Sequence, residues 1–212
     1  MYGNVFGSTK TIIGQSFPAW KEIRGKETAG GVLNALPAVG TVIPAGSMVS
    51  LDGVGGTAKI VKSWIVAASA TNSATEIKVK LASIFAMKPV VGEFLMIAPS
   101  TATATGQGAL INAAIVDTAD TSGLTYTLTL AATLGTALTT STILVQATSA
   151  TASASVYAVP TGFLENDIYI KQGASYATAT SVYDGSIWET RNSPVPACFK
   201  VLLPMIKFEK EL

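Results

Sequence analysis

The chain has 212 residues, a formal net charge of +1 and only 13% charged residues, about half the share of roughly 25% in an average globular protein. This length allows one large or two small domains, and the near-zero charge excludes a bulk field that would gather nucleic acid or an anionic membrane surface. The mean hydropathy is +0.45, but no apolar run reaches the roughly 18 residues of a spanning helix, so we predict no membrane insertion.

Residues 1–40 are predicted to form an extended N-terminal arm, because glycine and proline interrupt every pattern there. The densest local cluster of charges lies within this arm, at 20–27. The candidates for attachment to a partner are the apolar anchors and the cations Phe6, Phe17, Trp20, Arg24 and Lys26. A tail that only wraps around the protein's own surface is the alternative, and it stays open.

Residues 41–212 are predicted to form a β-rich body, mainly β, with a sandwich or barrel-like architecture. The pattern at 75–80 alternates strictly, which places Ile77 and Val79 on the buried face of a strand. Further strands are expected over the ranges 41–52 (two strands with a turn at 44–46), 57–67, 93–97, 109–116, 124–131 and 143–147. A division into two subdomains near 98–108 or 150–160 is left open.

Four more strands are expected at the C-terminal end, over the ranges 166–171, 181–183, 186–189 and 199–208. The dipeptide Asp184–Gly185 is a strong signal for a two-residue hairpin turn, so we predict that it joins the second and third of these strands.

The sequence contains no histidine, which excludes Ser–His and Cys–His catalysis and His-ligated metals. The single Cys198 cannot form an internal disulfide, and we interpret it as a small buried side chain. Two carboxylates can act as acid and base, yet the pairs here are interpreted as turn or edge residues: Asp117 with Asp120, Glu165 with Asp167, and Glu209 with Glu211. We therefore predict no enzymatic activity, no cofactor and no metal.

Three weaker patterns have simpler interpretations. The glycines at 53–56 fit a dinucleotide fingerprint, but a β pattern follows them where a helix is required, so they are interpreted as a turn. A basic, aromatic set is interpreted as a solvated strand face: Lys59, Lys62, Trp64, Lys78 and Lys80. Five aromatics could instead line a carbohydrate groove, although core or interface positions are commoner for them: Tyr157, Tyr169, Tyr176, Tyr183 and Trp188.

Residues 94–164 carry only two charges, and more than half of them are Ser, Thr or Ala. A soluble surface is normally rich in Lys and Glu. This composition indicates a surface that is covered by other subunits or a β surface built from small hydroxyl side chains.

The chain resembles the head fibre or head decoration proteins of tailed bacteriophages, in particular those of crAss-like gut phages. Six segments carry the resemblance: Tyr-Gly-Asn-Val-Phe-Gly at 2–7, Thr-Val-Ile-Pro-Ala-Gly-Ser-Met-Val at 41–49, Gly-Glu-Phe-Leu-Met at 92–96, Tyr-Ala-Val-Pro-Thr-Gly at 157–162, Asp-Ile-Tyr-Ile-Lys at 167–171 and Pro-Val-Pro-Ala-Cys at 194–198, the last followed by Phe-Glu at 208–209. The resemblance implies an auxiliary capsid protein that binds the outer face of the major capsid shell.

From this resemblance we expect a virion protein on the capsid exterior that is made in the host cytoplasm, since the N-terminal residues lack the pattern of a secretory signal. The expected partners are the major capsid protein and further copies of the same chain. A trimer is favoured because contact with several lattice sites strengthens attachment. A host surface glycan is a further candidate partner. The alternative function is a tail-side fibre or receptor-binding module that recognises host glycans.

Overall fold

The structure is a computed structural model that describes residues 19–27, 29–33, 35–53, 55–82 and 86–210. Its fold is mainly β, with curled sheets, which confirms the predicted fold class. The strands of the described residues are, in chain order, β1 Trp20–Lys26, β2 Gly31–Leu33, β3 Val42–Ile43, β4 Met48–Leu51, β5 Thr57–Val61, β6 Ser63–Val66, β7 Glu76–Lys80, β8 Phe94–Ile97, β9 Gly108–Val116, β10 Thr125–Leu130, β11 Ile143–Ala147, β12 Gly162–Leu164, β13 Ile168–Tyr169, β14 Ala177–Ala179, β15 Ser181–Trp188 and β16 Ile206–Glu209.

Eight strands form one sheet, which we call the mixed sheet because it contains both parallel and antiparallel pairs. Its order is β1-β15-β12-β4-β5-β2-β14, and β16 pairs with β15. The pairs β2–β5 and β15–β16 are parallel. Strands from the N-terminal and the C-terminal parts of the chain therefore lie side by side in the mixed sheet. A separate two-stranded sheet is formed by β3 and β13.

The residues between β5 and β12 in the sequence form a closed barrel of six strands in the order β10-β7-β6-β11-β8-β9. All of its pairs are antiparallel. The alternation of apolar and polar residues explains the burial pattern of β7. Ile77 is 2% exposed and Val79 is fully buried, while Glu76 and Lys80 face solvent. A large apolar cluster fills the barrel, with Trp64 among its buried members.

Two apolar clusters lie on opposite faces of the mixed sheet, because successive residues of a strand point to opposite sides. Met48 and Phe163 belong to one cluster, which also includes Met96 and Val145 of the barrel. Val49 and its neighbours belong to the other cluster. The sheet and the barrel consequently share a continuous core.

The chain enters the barrel at Lys62 and returns to the sheet between 148 and 161. The expected strand 57–67 is therefore two strands, β5 and β6, which belong to different sheets. Of the two divisions left open from the sequence, 98–108 falls between β8 and β9 inside the barrel, whereas 150–160 falls in the segment that leads back to the sheet.

The predicted arm differs from the structure over the described part of residues 1–40. β1 pairs with β15 and β2 pairs with β5 and β14, so both are strands of the mixed sheet. Its glycines contributed to the prediction of an irregular arm, but Gly31 is needed for packing. A Cβ there would lie 2.6 Å from the Leu51 side chain.

The predicted hairpin at Asp184–Gly185 is wrong, because β15 runs straight through both residues. Gly185 allows β15 to approach β1 closely and does not form a turn. A Cβ on it would lie 2.5 Å from the backbone oxygen of Glu22 in β1. The expected strand over 199–208 is also wrong in its first half. A short helix, α1 (Ala197–Lys200), follows Pro196, and only β16 is extended.

Candidate functional site

The three described attachment candidates all make contacts within the chain. The indole nitrogen of Trp20 donates a hydrogen bond of 2.9 Å to the carbonyl oxygen of Leu164, and its ring meets the edge of Phe163 with 6.2 Å between centroids. Arg24 pairs with Asp184 at 2.9 Å and Lys26 pairs with Glu165 at 2.6 Å. Contact with a partner through these residues stays a prediction.

Phe6 and Phe17 lie outside the described residues, so the structure brings neither of them to a site. The sequence signal that grouped all five candidates was their proximity along the chain. In the fold, β1 is an edge strand whose charged side chains pair with residues that are far away in the sequence.

The carboxylates Asp117 and Asp120 are turn residues, as predicted. Hydrogen bonds to the carboxylate of Asp120 come from the backbone and hydroxyl of Ser122 and from the backbone N–H of Thr125. These bonds hold the pKa of Asp120 well below its usual range. The bond from Lys78 is the largest cause that lowers the pKa of Asp117.

Asp167 and Glu209 also make contacts within the chain, whereas Glu211 lies outside the described residues. Asp167 accepts a bond of 2.7 Å from the backbone N–H of Ala45 and so fixes the turn before β4. Glu209 pairs with Lys21 and Lys207. Among the described residues, no group of three or more His, Cys, Asp or Glu is placed to hold a metal ion. Cys198 is buried in α1, and burial raises the pKa of its thiol.

The basic, aromatic set does not form one face. Trp64 is 1% exposed and donates its indole N–H to the carbonyl oxygen of Met87, while Lys78 pairs with Asp117. Lys62 is buried, and only Lys59 and Lys80 are solvent-exposed. Burial of the tryptophan removes the stacking platform that a nucleic-acid surface requires.

A cleft of about 1040 Å³ lies where the mixed sheet meets the barrel. One wall is formed by the segment 35–42 together with β5, and the opposite wall is formed by 86–93, ahead of β8. We call this the sheet–barrel cleft. Its position follows from the chain path, because β5 leaves the sheet at Lys62 and continues into the barrel as β6.

A largely buried ion pair and an amide belong to the polar part of the cleft lining. The ammonium of Lys62 is bonded to the carboxylate of Glu93, with 9% and 19% of the two side chains exposed. Glu93 also accepts a bond of 3.2 Å from the backbone N–H of Val90. This pair therefore joins the end of β5 to the entrance of β8.

Gln146 of β11 lies beside this pair, and its backbone N–H donates to the carbonyl oxygen of Lys62. Its side-chain oxygen Oε1 is enclosed and has no hydrogen-bond partner within the described part of the chain. An enclosed acceptor without a donor costs about 1–3 kcal/mol. A buried polar group in this state calls for an explanation, such as a bound water or ion.

The cleft lining also carries cations and apolar side chains. The ammonium of Lys59 lies 5.7 Å from the ring centroid of Tyr157, within the range of a cation–π contact. Lys88 is exposed and makes no ion pair with any described residue. Val39 is 63% exposed and Val90 is 50% exposed. The lining therefore suits a ligand with an apolar part and a negative charge.

Sequence reasoning missed this cleft, because its lining comes from five separate stretches of the chain. Lys59 was noted only as part of a strand face, and Tyr157 is the single member of the aromatic set that lines the cleft. The low charge of residues 94–164 did carry one usable signal. Gln146 is one of the few polar residues there that are larger than Ser or Thr, and it lies in a strand.

No helix of the described residues is long and apolar enough to cross a membrane. A comparison of the chain with protein-family models, curated proteins and solved structures finds no match in any of the three. Inferences about function therefore depend on the chain's own residues and surfaces.

Proposed function

We propose that the protein is a structural auxiliary capsid protein that binds the outside of a phage head as a decoration or head fibre. The observation that carries this proposal is the almost uncharged surface of the segment 94–164, which supplies the barrel strands β8 to β11. Its exposed positions are mostly Ser, Thr and Ala, and the two charged residues of the segment 94–164 are Asp117 and Asp120. A soluble surface usually has about 25–35% charged residues.

Low charge favours assembly for a physical reason. Contact between two surfaces strips water from any charge that it buries, and this desolvation opposes binding unless each charge finds a partner. A surface of small hydroxyl and methyl groups avoids that penalty, and the cores of protein interfaces are depleted of charge in the same way.

Exposed apolar side chains support contacts with further copies or with the shell. Val201, Leu202 and Met205 follow α1 and are 78%, 47% and 55% exposed. On the barrel, Ile115 and Val116 of β9 are 65% and 43% exposed. Contiguous apolar patches on a protein surface commonly mark interaction sites. We therefore propose a homo-oligomer, with a trimer favoured.

Binding to heads is the test of the proposal. The purified protein should co-sediment with heads that lack it, and scattering measurements should give a mass that is a multiple of 21.8 kDa. An absence of co-sedimentation would reject the capsid role. Binding to an array of glycans without binding to heads would instead favour the tail-side fibre.

A deletion of residues 1–18 tests the attachment candidates Phe6 and Phe17 without removing β1. The variant should keep the far-ultraviolet spectrum of a β protein and lose its attachment to heads. A deletion of 1–40 is a poor test, because it also removes β1 and β2 from the mixed sheet. Normal decoration by the shorter deletion variant would show that the attachment site lies elsewhere.

A further inference from the structure

Among the described residues, the lining of the sheet–barrel cleft contains more lysines than carboxylates. Its lining contains three lysines and one glutamate. The carboxylate of Glu93 forms an ion pair with Lys62, so Lys59 and Lys88 remain without a carboxylate partner among the described residues. Both of these lysines are exposed, and a bound carboxylate could reach them from solvent.

Apolar surface surrounds these two cations. Val39 and Val90, from opposite walls, are at least half exposed, and the walls also contain Leu36, Pro37 and Met87. A ligand that covers the valines removes apolar area from water, which favours binding in proportion to the area covered. The ligand must therefore bring apolar groups as well as a negative charge.

Gln146 adds a hydrogen-bonding group to this surface. Its Oε1 has no donor, and the terminal amide of a glutamine side chain turns easily about its last torsion. Because Gln146 lines the cleft, a rotation that uncovers the enclosed oxygen would offer one donor and one acceptor, which is the pattern that a peptide group requires.

We propose that the sheet–barrel cleft binds an extended peptide segment of a protein partner, with apolar side chains next to an acidic residue. The apolar side chains cover Val39 and Val90, the carboxylate lies between Lys59 and Lys88, and a backbone amide pairs with Gln146. A sugar fits less well, because aliphatic walls would leave many of its hydroxyl groups without partners. This inference stands apart from the capsid role, since any protein partner could supply the segment.

The test is a selection from a random dodecapeptide library displayed on particles, with the full-length protein immobilised. The selected peptides should be enriched in Asp or Glu together with Leu, Ile, Val or Met. The most enriched peptide is then synthesised with a fluorescent label, and its dissociation constant is measured by anisotropy. Affinity should fall as the salt concentration rises, because the charged contacts are solvent-exposed.

Charge reversal provides the matched comparison. The double variant Lys59→Glu and Lys88→Glu should bind the peptide at least about tenfold more weakly. The control is Lys80→Glu with Lys171→Glu, which changes the net charge equally at two exposed lysines outside the cleft lining. Its affinity should stay within about twofold of the parent protein, since distant exposed charges are largely screened.

Three results would overturn the proposal. They are a selection without enrichment of acidic and apolar residues, an equal loss of affinity in the two double variants, and binding to a glycan array that the cleft variant alone loses. If the cleft variant fails to fold by circular dichroism, Val39→Ser with Val90→Ser takes its place. It should weaken binding about tenfold through the loss of apolar contact, and unchanged affinity would equally reject the site.

Discussion

The barrel and the mixed sheet are held together in different ways. The barrel uses one continuous stretch of chain, 63–147, and its strands are antiparallel. The mixed sheet joins strands from the two ends of the chain, and three ion pairs of β1 connect residues separated by 139 to 188 positions: Lys26 with Glu165, Arg24 with Asp184, and Lys21 with Glu209. Ion pairs thus hold the edge strand β1 to the rest of the mixed sheet. The barrel is held together by its buried apolar side chains, and its turns are rich in hydroxyl side chains.

This difference explains why so little charge is found between Glu93 and Glu165. The charged residues of the barrel surface lie mainly on β7, at Glu76 and Lys80, whereas the exposed positions of the segment 94–164 are mostly Ser, Thr and Ala. The nearly neutral surface covers the barrel strands β8 to β11, which also contribute side chains to the buried apolar core of the barrel.

The largest expected effect tests whether the two regions unfold together. Phe163 is fully buried in the cluster that the sheet and the barrel share, so Phe163→Ala should lower the free energy of unfolding by about 3–5 kcal/mol. Amide exchange should then accelerate in both regions. Leu128→Ala, inside the barrel, is the matched variant, with an expected loss of about 2–5 kcal/mol. Unchanged exchange in the barrel after Phe163→Ala would show that the regions are independent.

The ion pair at the junction should matter more than those at the edge of the sheet. Lys62→Met leaves the carboxylate of Glu93 without its partner in a mostly buried place, and the loss of stability should be about 3 kcal/mol. Lys26→Met breaks an exposed pair and should cost at most about 1 kcal/mol. Denaturant titration measures both.

A double variant checks the cause of that difference. Lys62→Met combined with Glu93→Gln removes both charges, so stability should recover in part. An equal loss in the single and double variants would mean that Lys62 acts through packing alone.

A smaller effect is expected where β1 approaches β15. Gly185→Ala places a Cβ 2.5 Å from the backbone oxygen of Glu22, so the strands must separate and stability should fall by about 1–3 kcal/mol. Gly106→Ala in the barrel is the control, because its Cβ would meet only the flexible end of Met96 at 3.0 Å. That variant should change stability by less than about 0.5 kcal/mol. Equal effects would contradict the close approach as the reason for glycine in β15.

The smallest effect is a dependence on pH that belongs to the barrel. Hydrogen bonds from Ser122 and Thr125 hold the pKa of Asp120 below that of an unfolded chain. The stabilisation is therefore present above the unfolded value of about 3.9 and is lost as the pH falls towards the folded pKa. The melting temperature of the parent protein should fall more steeply below about pH 4 than that of Asp120→Asn. Parallel curves would show that this carboxylate does not contribute.

The sequence predicted the barrel better than the sheet, and the reason is physical. The residues of β7 and β10 alternate because one face is buried, and this alternation is visible without knowledge of the partner strand. Glycine-rich turns such as the one at 53–56 can likewise be predicted from neighbouring residues in the sequence alone. The absence of histidine restricts the chemistry of the chain through composition alone, whatever the fold.

The errors fall where a distant strand decides the local structure. Asp184–Gly185 has the sequence of a hairpin turn, but β1 needs a small residue beside it, so the chain stays extended. The glycines before residue 41 suggested an irregular arm for the same reason. The sheet–barrel cleft escaped prediction because Lys59, Lys88 and Gln146 come together only after the barrel has closed.

Electron cryomicroscopy of phage particles to which the purified protein has been added tests the proposed capsid role most directly. The account predicts density for the barrel and the mixed sheet on the outer face of the head, repeated at equivalent positions of the capsid lattice. Density for this fold only at the tail, or none on the particle, would contradict the proposed role on the capsid.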